Sequence, residues 1–505
     1  MPEIPVQFPG QQVFDRARAF FETSDFNEAH FNRLRSEWKQ AGFTIKPGAL
    51  APKPDSRAHM LTLLFNDAAI SESDFVELGN RQALDDLKEL GMVVCSPAGV
   101  LTSTVRTRPF RGLYVICDHE PPNRQFADDF VFPPDDTNTF NYLRYVAFSP
   151  CEAFLEACGG SGIAALIAAS RCAERSWSSD LAERSTVFAR FSAALSGLSN
   201  FTAVRGDTYE PVQDRVFDRI AVHPPYVPVL RHSFIFHGGG LDGEQITRKH
   251  ITDLHGRLKP GGRLYCRCGA TDRKGAPLEM RIRQWLGEHE SEYDIALQVL
   301  GYVEPWRFLM KSVRTGRTRP EELAEWGNVL EELQLETLLM CVFVVQRHEE
   351  KRTPFTVRRE EGPYSGPKEL DWLLEIETAR SRQGVEHVLS SRLKVNPTVT
   401  LSMVNSAKQG EWELRSQFAE VVHPHPLKME LDPLSAFLLP GLNGQSTGRE
   451  LFHSLVEQGA ISPDDPQEAI RNFATGLLEM ASSGLIFVEG LEPPAPVRNE
   501  SRNDL

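Results

Sequence analysis

The sequence predicts an α/β protein built on a mostly parallel sheet covered by helices. Two observations predict it. Between about residues 141 and 350, short apolar strands alternate with helical patterns, as they do in chains of strand–helix–strand units. One strand-to-helix junction in that stretch, Phe154-Leu-Glu-Ala-Cys-Gly-Gly-Ser-Gly-Ile163, is a glycine-rich turn between an apolar strand and an apolar helix.

At 505 residues the chain exceeds the roughly 250–300 residues over which a single core keeps growing. Three regions are expected: 1–140, 141–350 and 351–505.

The first region opens with helical periodicity over 14–21 and 31–38. Ser71-Glu-Ser-Asp74 reads as a capping box opening a helix. In the next helix Leu84, Leu87 and Leu90 share one face and Gly91 stops it. A strand over 92–95, a turn over 97–99 and an alternating strand over 101–108 follow. Two helices and then a hairpin is the order of a winged helix. The apolar strand 113–117 is expected to dock onto the second region.

In the second region strands are expected at 153–157, 177–180, 202–204, 217–222, 263–268 and 338–346. Helices are expected at 164–170, 185–198, 246–258 and 321–330. The charged stretch 347–359 and the turn-rich Gly362-Pro-Tyr-Ser-Gly-Pro367 read as a linker. In the third region Asp432-Pro433 opens an apolar helix and Asn443-Gly444 is a turn. Helical patterns follow at 447–457 and 467–482, then a strand at 485–488. This is a small helical, winged-helix-like accessory unit, for which a lid and a homodimerisation role are the two considered. The Pro-rich tail after Gly490 is expected to be disordered.

Composition narrows function. The formal net charge of -14 and pI of about 5.6 disfavour a whole-surface attraction for nucleic acid or anionic membrane. Arg106, Arg108 and Arg111 form the best basic cluster and read as a solvated hairpin face. The eight cysteines show no disulfide framework, which suggests a reducing compartment. Cys266 and Cys268 lack a second pair at metal-ligand spacing, so no metal site is expected. The first ten residues do not read as a signal peptide. No stretch is long and apolar enough for a membrane span. Cytoplasmic is the default expectation.

The chemistry concentrates at strand ends. A turn without side chains lets a ligand approach the backbone, and the helix after it presents free N–H groups. Gly160-x-Gly162-x-x-Ala165 fits a dinucleotide fingerprint, with Asp180 about 20 residues on. The same loop suits S-adenosylmethionine (SAM) or a plain structural turn. Asp180 ends the second strand, where a carboxylate can accept from two ribose hydroxyls. Asp207 follows the third strand in Arg205-Gly-Asp207. The fourth strand runs into His223-Pro-Pro-Tyr226-Val-Pro228. Two prolines rigidify that end and leave carbonyls without ladder partners. Tyr226 can stack on a planar acceptor.

Over roughly 130–270 these residues resemble the class I SAM-dependent methyltransferases with an Asn-Pro-Pro-Tyr motif. That branch includes release-factor glutamine N5-methyltransferases and small-domain RNA guanine and adenine N-methyltransferases. The resemblance implies a Rossmann-like sheet with SAM as cofactor. It places Glu156, Cys158, Gly160 and Gly162 on the SAM loop, Asp180 on the ribose and Asp207 on the adenine side. Pro224, Pro225 and Tyr226 fall on the catalytic loop. Phe132-Pro-Pro-Asp-Asp-Thr137 resembles the segment that covers SAM, which brings in Thr137. Two departures stand out. Cys158 occupies the position of the first loop glycine, and His223 stands where asparagine is usual. A neutral histidine can accept a hydrogen bond or act as a base near pH 7.

The expected function is methyl transfer from SAM to a nitrogen or oxygen of a small-molecule or peptide acceptor. His223, Pro224 and Tyr226 are the catalytic candidates. Pro225, His232 and His237 are the acceptor-side candidates. An RNA or DNA base N-methyltransferase and a catalytically silent SAM-binding scaffold are the alternatives.

Overall fold

The structure is a computed structural model that describes residues 3–41, 48–51, 53–121, 125–231, 234–461 and 465–497. It divides into two compact units, Met1–Gly269 and Ala270–Leu505.

The first unit carries the glycine loop. In chain order it contains α1 (Thr137–Leu143), β1 (Cys151–Ala157), α2 (Ile163–Arg171), β2 (Ala173–Asp180), α3 (Glu183–Leu195), β3 (Phe201–Arg205), β4 (Phe217–Val222), α4 (Gln245–Thr252) and most of β5 (Leu258–Arg273). Three further strands, β6 (Tyr293–Val303), β7 (Leu335–Arg347) and β8 (Thr356–Glu360), belong to the second unit. The strand order is β3-β2-β1-β4-β5 in the first unit and β7-β6-β8 in the second.

Strands β1 to β5 pair in parallel. β6 runs antiparallel to β7 and parallel to β8. The protein is therefore α/β, with a parallel sheet in the first unit and a mixed one in the second. The chain winds outward from β1 to β3, then returns to lay β4 on the other side of β1. Open sheets of this kind bind ligands at that reversal, beyond the carboxyl ends of the strands.

The N-terminal helices pack on α3. Phe14, Phe21, Phe26, Phe65, Phe188 and Phe191 lie in one buried cluster, and burying each such ring is worth about 1.5–3 kcal/mol. Helices Glu72–Leu78 and Arg81–Glu89 precede the antiparallel pair Val93–Cys95 and Val100–Ser103, with Ile70–Ser71 at the edge. Strand Leu113–Cys117 meets α3 directly. Tyr114 and Ile116 donate backbone N–H groups to Ser196 Oγ and Ser192 Oγ, each at 3.0 Å.

The arginine cluster is not a solvated face. Arg108 is 5% exposed and its guanidinium lies 4.7 Å from the Phe31 ring. Arg106 pairs with Asp67. A short run of charges says nothing by itself of what faces it.

In the second unit the stretch expected as a linker supplies β8. Its Arg358 is paired, meeting Asp272 at 2.7 Å and Glu279 at 3.0 Å. Asn443-Gly444 is not a turn but the start of strand Asn443–Thr447, paired with Arg392–Val395. Strand Ile486–Val488 completes that sheet. Helix Pro367–Ser390 and the antiparallel strands Thr400–Lys408, Glu411–Val421 and Leu427–Leu431 had no expectation attached. Among the described residues, no helix is long and apolar enough to cross a membrane.

Candidate functional site

Register brings the two motifs together. Ala157 of β1 is the partner of Val222 of β4, so the chain leaves the sheet side by side at Cys158 and His223. Val222 is also aligned with Cys266 of β5. Arg267, the next residue, therefore stands beside His223.

The loop over 158–162 is held from below. Glu156 is 2% exposed and accepts from the backbone N–H of Ala165 at 2.9 Å. Burial pushes its carboxyl up to about 8, against the downward pull of the Ala165 and Ala164 amides. Gly159 donates to the Ser179 carbonyl at 3.0 Å. A Cβ on Gly159 would come within 2.2 Å of Ser178 Oγ, and one on Gly162 within 2.8 Å of Ala189 Cβ. At Gly160 a Cβ would meet nothing within 4 Å. That side of the loop is open.

Cys158 has φ +55°, which explains why glycine suits the position. A side chain in the left-handed region costs roughly 1–2 kcal/mol. Its Sγ lies 3.3 Å from His250 Nε2 on α4. Burial raises the thiol and lowers His250 to about 4. A thiol therefore faces a neutral imidazole.

Asp180 closes the loop's other side. Its two oxygens accept from the N–H groups of Gly160 and Ala182, each at 2.8 Å. Burial raises its pKa against those amides. The Ser185 hydroxyl is a third partner, so one lone pair of the carboxylate is left. Asp207 is half exposed and pairs with Lys249 Nζ of α4. Thr137 opens α1, which Asp136 caps by accepting from Asn138 N–H at 2.8 Å.

On the β4 side His223 is sandwiched. Its ring stacks on Tyr142 of α1 at 5.1 Å between centroids and on Tyr226 at 5.7 Å. Arg267 Nη1 lies 3.3 Å from His223 Nε2. Arginine carries only donors, so Nε2 accepts and the neutral ring carries its proton on Nδ1. Burial, and then the charge of Arg267, lower His223 to about 3. His223 is thus neutral at physiological pH, and too weak a base to be poised near pH 7.

Two glycines seat Tyr226. A Cβ on Gly269 of β5 would come within 2.8 Å of its ring, and one on Gly243 within 2.4 Å of its carbonyl oxygen. After Pro224 and Pro225 the chain pairs with 237–240. Val227 N–H donates to the His237 carbonyl at 3.0 Å, and Gly239 N–H to the Val227 carbonyl at 2.9 Å. His237 thus enters through its backbone. His232 lies outside the described residues.

Aromatic rings tie this loop to the segment before α1. Phe132 lies 4.8 Å from Phe130 and 5.1 Å from Phe236, which stacks on Phe234 at 5.1 Å. The segment expected to cover the cofactor thus packs on the chain that follows Tyr226.

Sequence reasoning missed Arg267, Tyr142 and His250. For Arg267 a signal existed. It is a charged residue inside the apolar strand run that carries Cys266 and Cys268. Tyr142 and His250 carry no sequence signal, because only the tertiary fold brings them to the site.

No known family model matches the chain. The ribosomal protein uL3 glutamine methyltransferase of Bradyrhizobium diazoefficiens is 30% identical over 130 residues, covering 23% of this chain and 41% of that protein. The chain thus spans about two fifths of that curated relative. Among solved structures, ribosomal protein L11 methylase from Lactobacillus delbrueckii subsp. bulgaricus is 16% identical, with 42% of this chain and 77% of that one covered at TM-score 0.25. Phosphoethanolamine N-methyltransferase 2 of Haemonchus contortus, in complex with S-adenosyl-L-methionine, is 13% identical. It covers 44% of this chain and 55% of that one at TM-score 0.25. At such scores the α/β assignment rests on the chain's own strand order and register.

Proposed function

We propose that the first unit binds SAM beyond β1 and β2 and transfers a methyl group to a nitrogen or oxygen of a small-molecule or peptide acceptor held beyond β4. The observation that carries this reading is the pairing of Ala157 with Val222. It sets the glycine loop and His223-Pro-Pro-Tyr226 next to each other at the reversal of the sheet. The sequence likeness to a glutamine methyltransferase supports it.

The residues present fit the cofactor. The loop backbone is open at Gly160, and Asp180, held by Gly160, Ala182 and Ser185, keeps one lone pair for a ribose hydroxyl. Glu156 is buried and clamps the loop to α2 rather than reaching the ligand. Asp207 and Lys249 border the adenine side, and Thr137 lies on the covering segment. SAM supplies, when bound, an electrophilic methyl carbon.

The chain supplies position. The Pro224 carbonyl accepts from the acceptor N–H or O–H and turns the acceptor's lone pair toward the methyl carbon. Orientation of this kind can supply about 7–11 kcal/mol of a barrier. His223 donates through Nδ1–H and does not act as the base. Tyr226 is the stacking wall and Pro225 fixes the turn. His237 borders the acceptor side. All eight cysteines are free thiols, which supports a cytoplasmic setting.

The second reading, favoured by the uL3 relative, is a glutamine amide on a protein. Tritiated-methyl SAM, offered with a glutamine-containing peptide, an RNA oligonucleotide and a small-molecule extract, separates the acceptors. Label in the peptide or small-molecule fraction supports the proposal. Label in RNA alone favours a base methyltransferase. Tight SAM binding with no transfer to any fraction favours the silent scaffold.

A further inference from the structure

We propose that Arg267 anchors an oxyanion, a carboxylate or phosphate, carried by the methyl acceptor. This rests on the proposed transfer reaction and names the class of acceptor.

Arg267 is 6% exposed. Among the described residues its one recorded contact is His223 Nε2, and its Nε is buried with no partner. Elsewhere in the first unit buried arginines are matched. Arg184 holds Asp118 at 2.6 Å and Arg108 lies 3.6 Å from Asp135. A buried charge without a counter-charge is costly, and proteins pair such groups or use them on a ligand.

The partner that Arg267 does have brings no charge. His223 is neutral, and its stacking partners Tyr142 and Tyr226 are aromatic. The guanidinium therefore faces the acceptor side uncompensated. The planar fork suits a carboxylate or phosphate bidentately. An anion there would also offset the positive charge of a sulfonium cofactor. The enclosure of Arg267 favours an end group of a small molecule or a side chain over the backbone of a nucleic acid.

The test is calorimetric titration of the full chain with glutarate, inorganic phosphate, neutral glutaramide and a short RNA, with and without S-adenosylhomocysteine. The expected result is that glutarate or phosphate binds the wild type more tightly than glutaramide does. Arg267→Gln should weaken that anion by roughly 10- to 100-fold and Arg267→Lys by less. Affinity for S-adenosylhomocysteine and the thermal midpoint should stay unchanged in the lysine variant. Glutarate as the tighter ligand would assign a carboxylate, and phosphate a phosphate. Failure of both anions to bind, equal binding by the wild type and Arg267→Gln, or Arg267-dependent binding of RNA alone would overturn the proposal. If Arg267→Gln does not fold, the order of wild type over Arg267→Lys decides. Anion binding that depends on Arg267, without any binding of S-adenosylhomocysteine, would leave the anion site standing and remove the cofactor reading.

Discussion

Arg267 Nη1 and His223 Nε2 stand 3.3 Å apart although 44 residues separate them in the chain. Parallel pairing of β4 and β5, with Cys266 aligned to Val222, creates the contact. It decides the chemistry of the histidine that opens the Pro-Pro-Tyr loop. An imidazole with a guanidinium on its acceptor nitrogen does not pick up protons near neutrality.

The first prediction follows from that contact. His223→Asn should change the rate while leaving the shape of the pH–rate profile intact between about pH 6 and 8, because His223 titrates near 3. Loss of an inflection near about pH 6.5, the ordinary histidine range, would show that His223 acts as the base.

Gly269 separates positioning of the acceptor from binding of the cofactor. Gly269→Ala would bring a methyl group to 2.8 Å from the Tyr226 ring and displace it. Such overpacking costs typically 1–3 kcal/mol. The turnover rate should fall about tenfold or more while affinity for S-adenosylhomocysteine stays unchanged. Equal losses of rate and affinity would mean that Tyr226 does not belong to the acceptor side alone.

Glu156 sets a pH dependence of stability. Its folded pKa, about 8, lies above the unfolded value near 4.3, so between these values the folded state binds more protons. Its contribution is full below about pH 4 and is lost as pH rises through 8. Glu156→Gln should flatten the decline in thermal midpoint over that window. An unchanged slope in the variant would contradict the burial of Glu156 as a neutral acid.

Asp67 acts in the opposite direction. Burial raises its pKa, but hydrogen bonds from His119 and Arg106 outweigh that and hold it down at about 2. Its contribution is present above the unfolded value near 3.9 and is lost as pH falls through 2. Asp67→Asn should cost roughly 2 kcal/mol at neutral pH, and the difference from wild type should shrink in acid. Denaturant unfolding at pH 7 and pH 3 measures this. A constant difference would rule out the carboxylate as its source.

The sheet and the glycine loop were legible because they depend on local pattern. Apolar runs at 153–157 and 217–222, glycines at a strand end and paired prolines each leave a mark within a few residues. The conformation of Cys158 shows the limit, since nothing in the residue announces φ +55°. The Arg267–His223 contact was illegible because it depends on the register of two strands. Strand Thr356–Glu360 was hidden by its charges, whose partners Asp272 and Glu279 lie some 80 residues earlier. Helix Pro367–Ser390 begins inside the turn-rich stretch that looked like a linker.

The most direct measurement is calorimetric titration of the full chain, and of Asp180→Ala, with S-adenosylhomocysteine and separately with NAD. The wild type should bind S-adenosylhomocysteine alone, and Asp180→Ala should weaken it by roughly tenfold or more, the scale of a lost hydrogen bond to a charged group. Binding of NAD in its place would rule out SAM as the ligand and make Gly160-x-Gly162-x-x-Ala165 a dinucleotide loop.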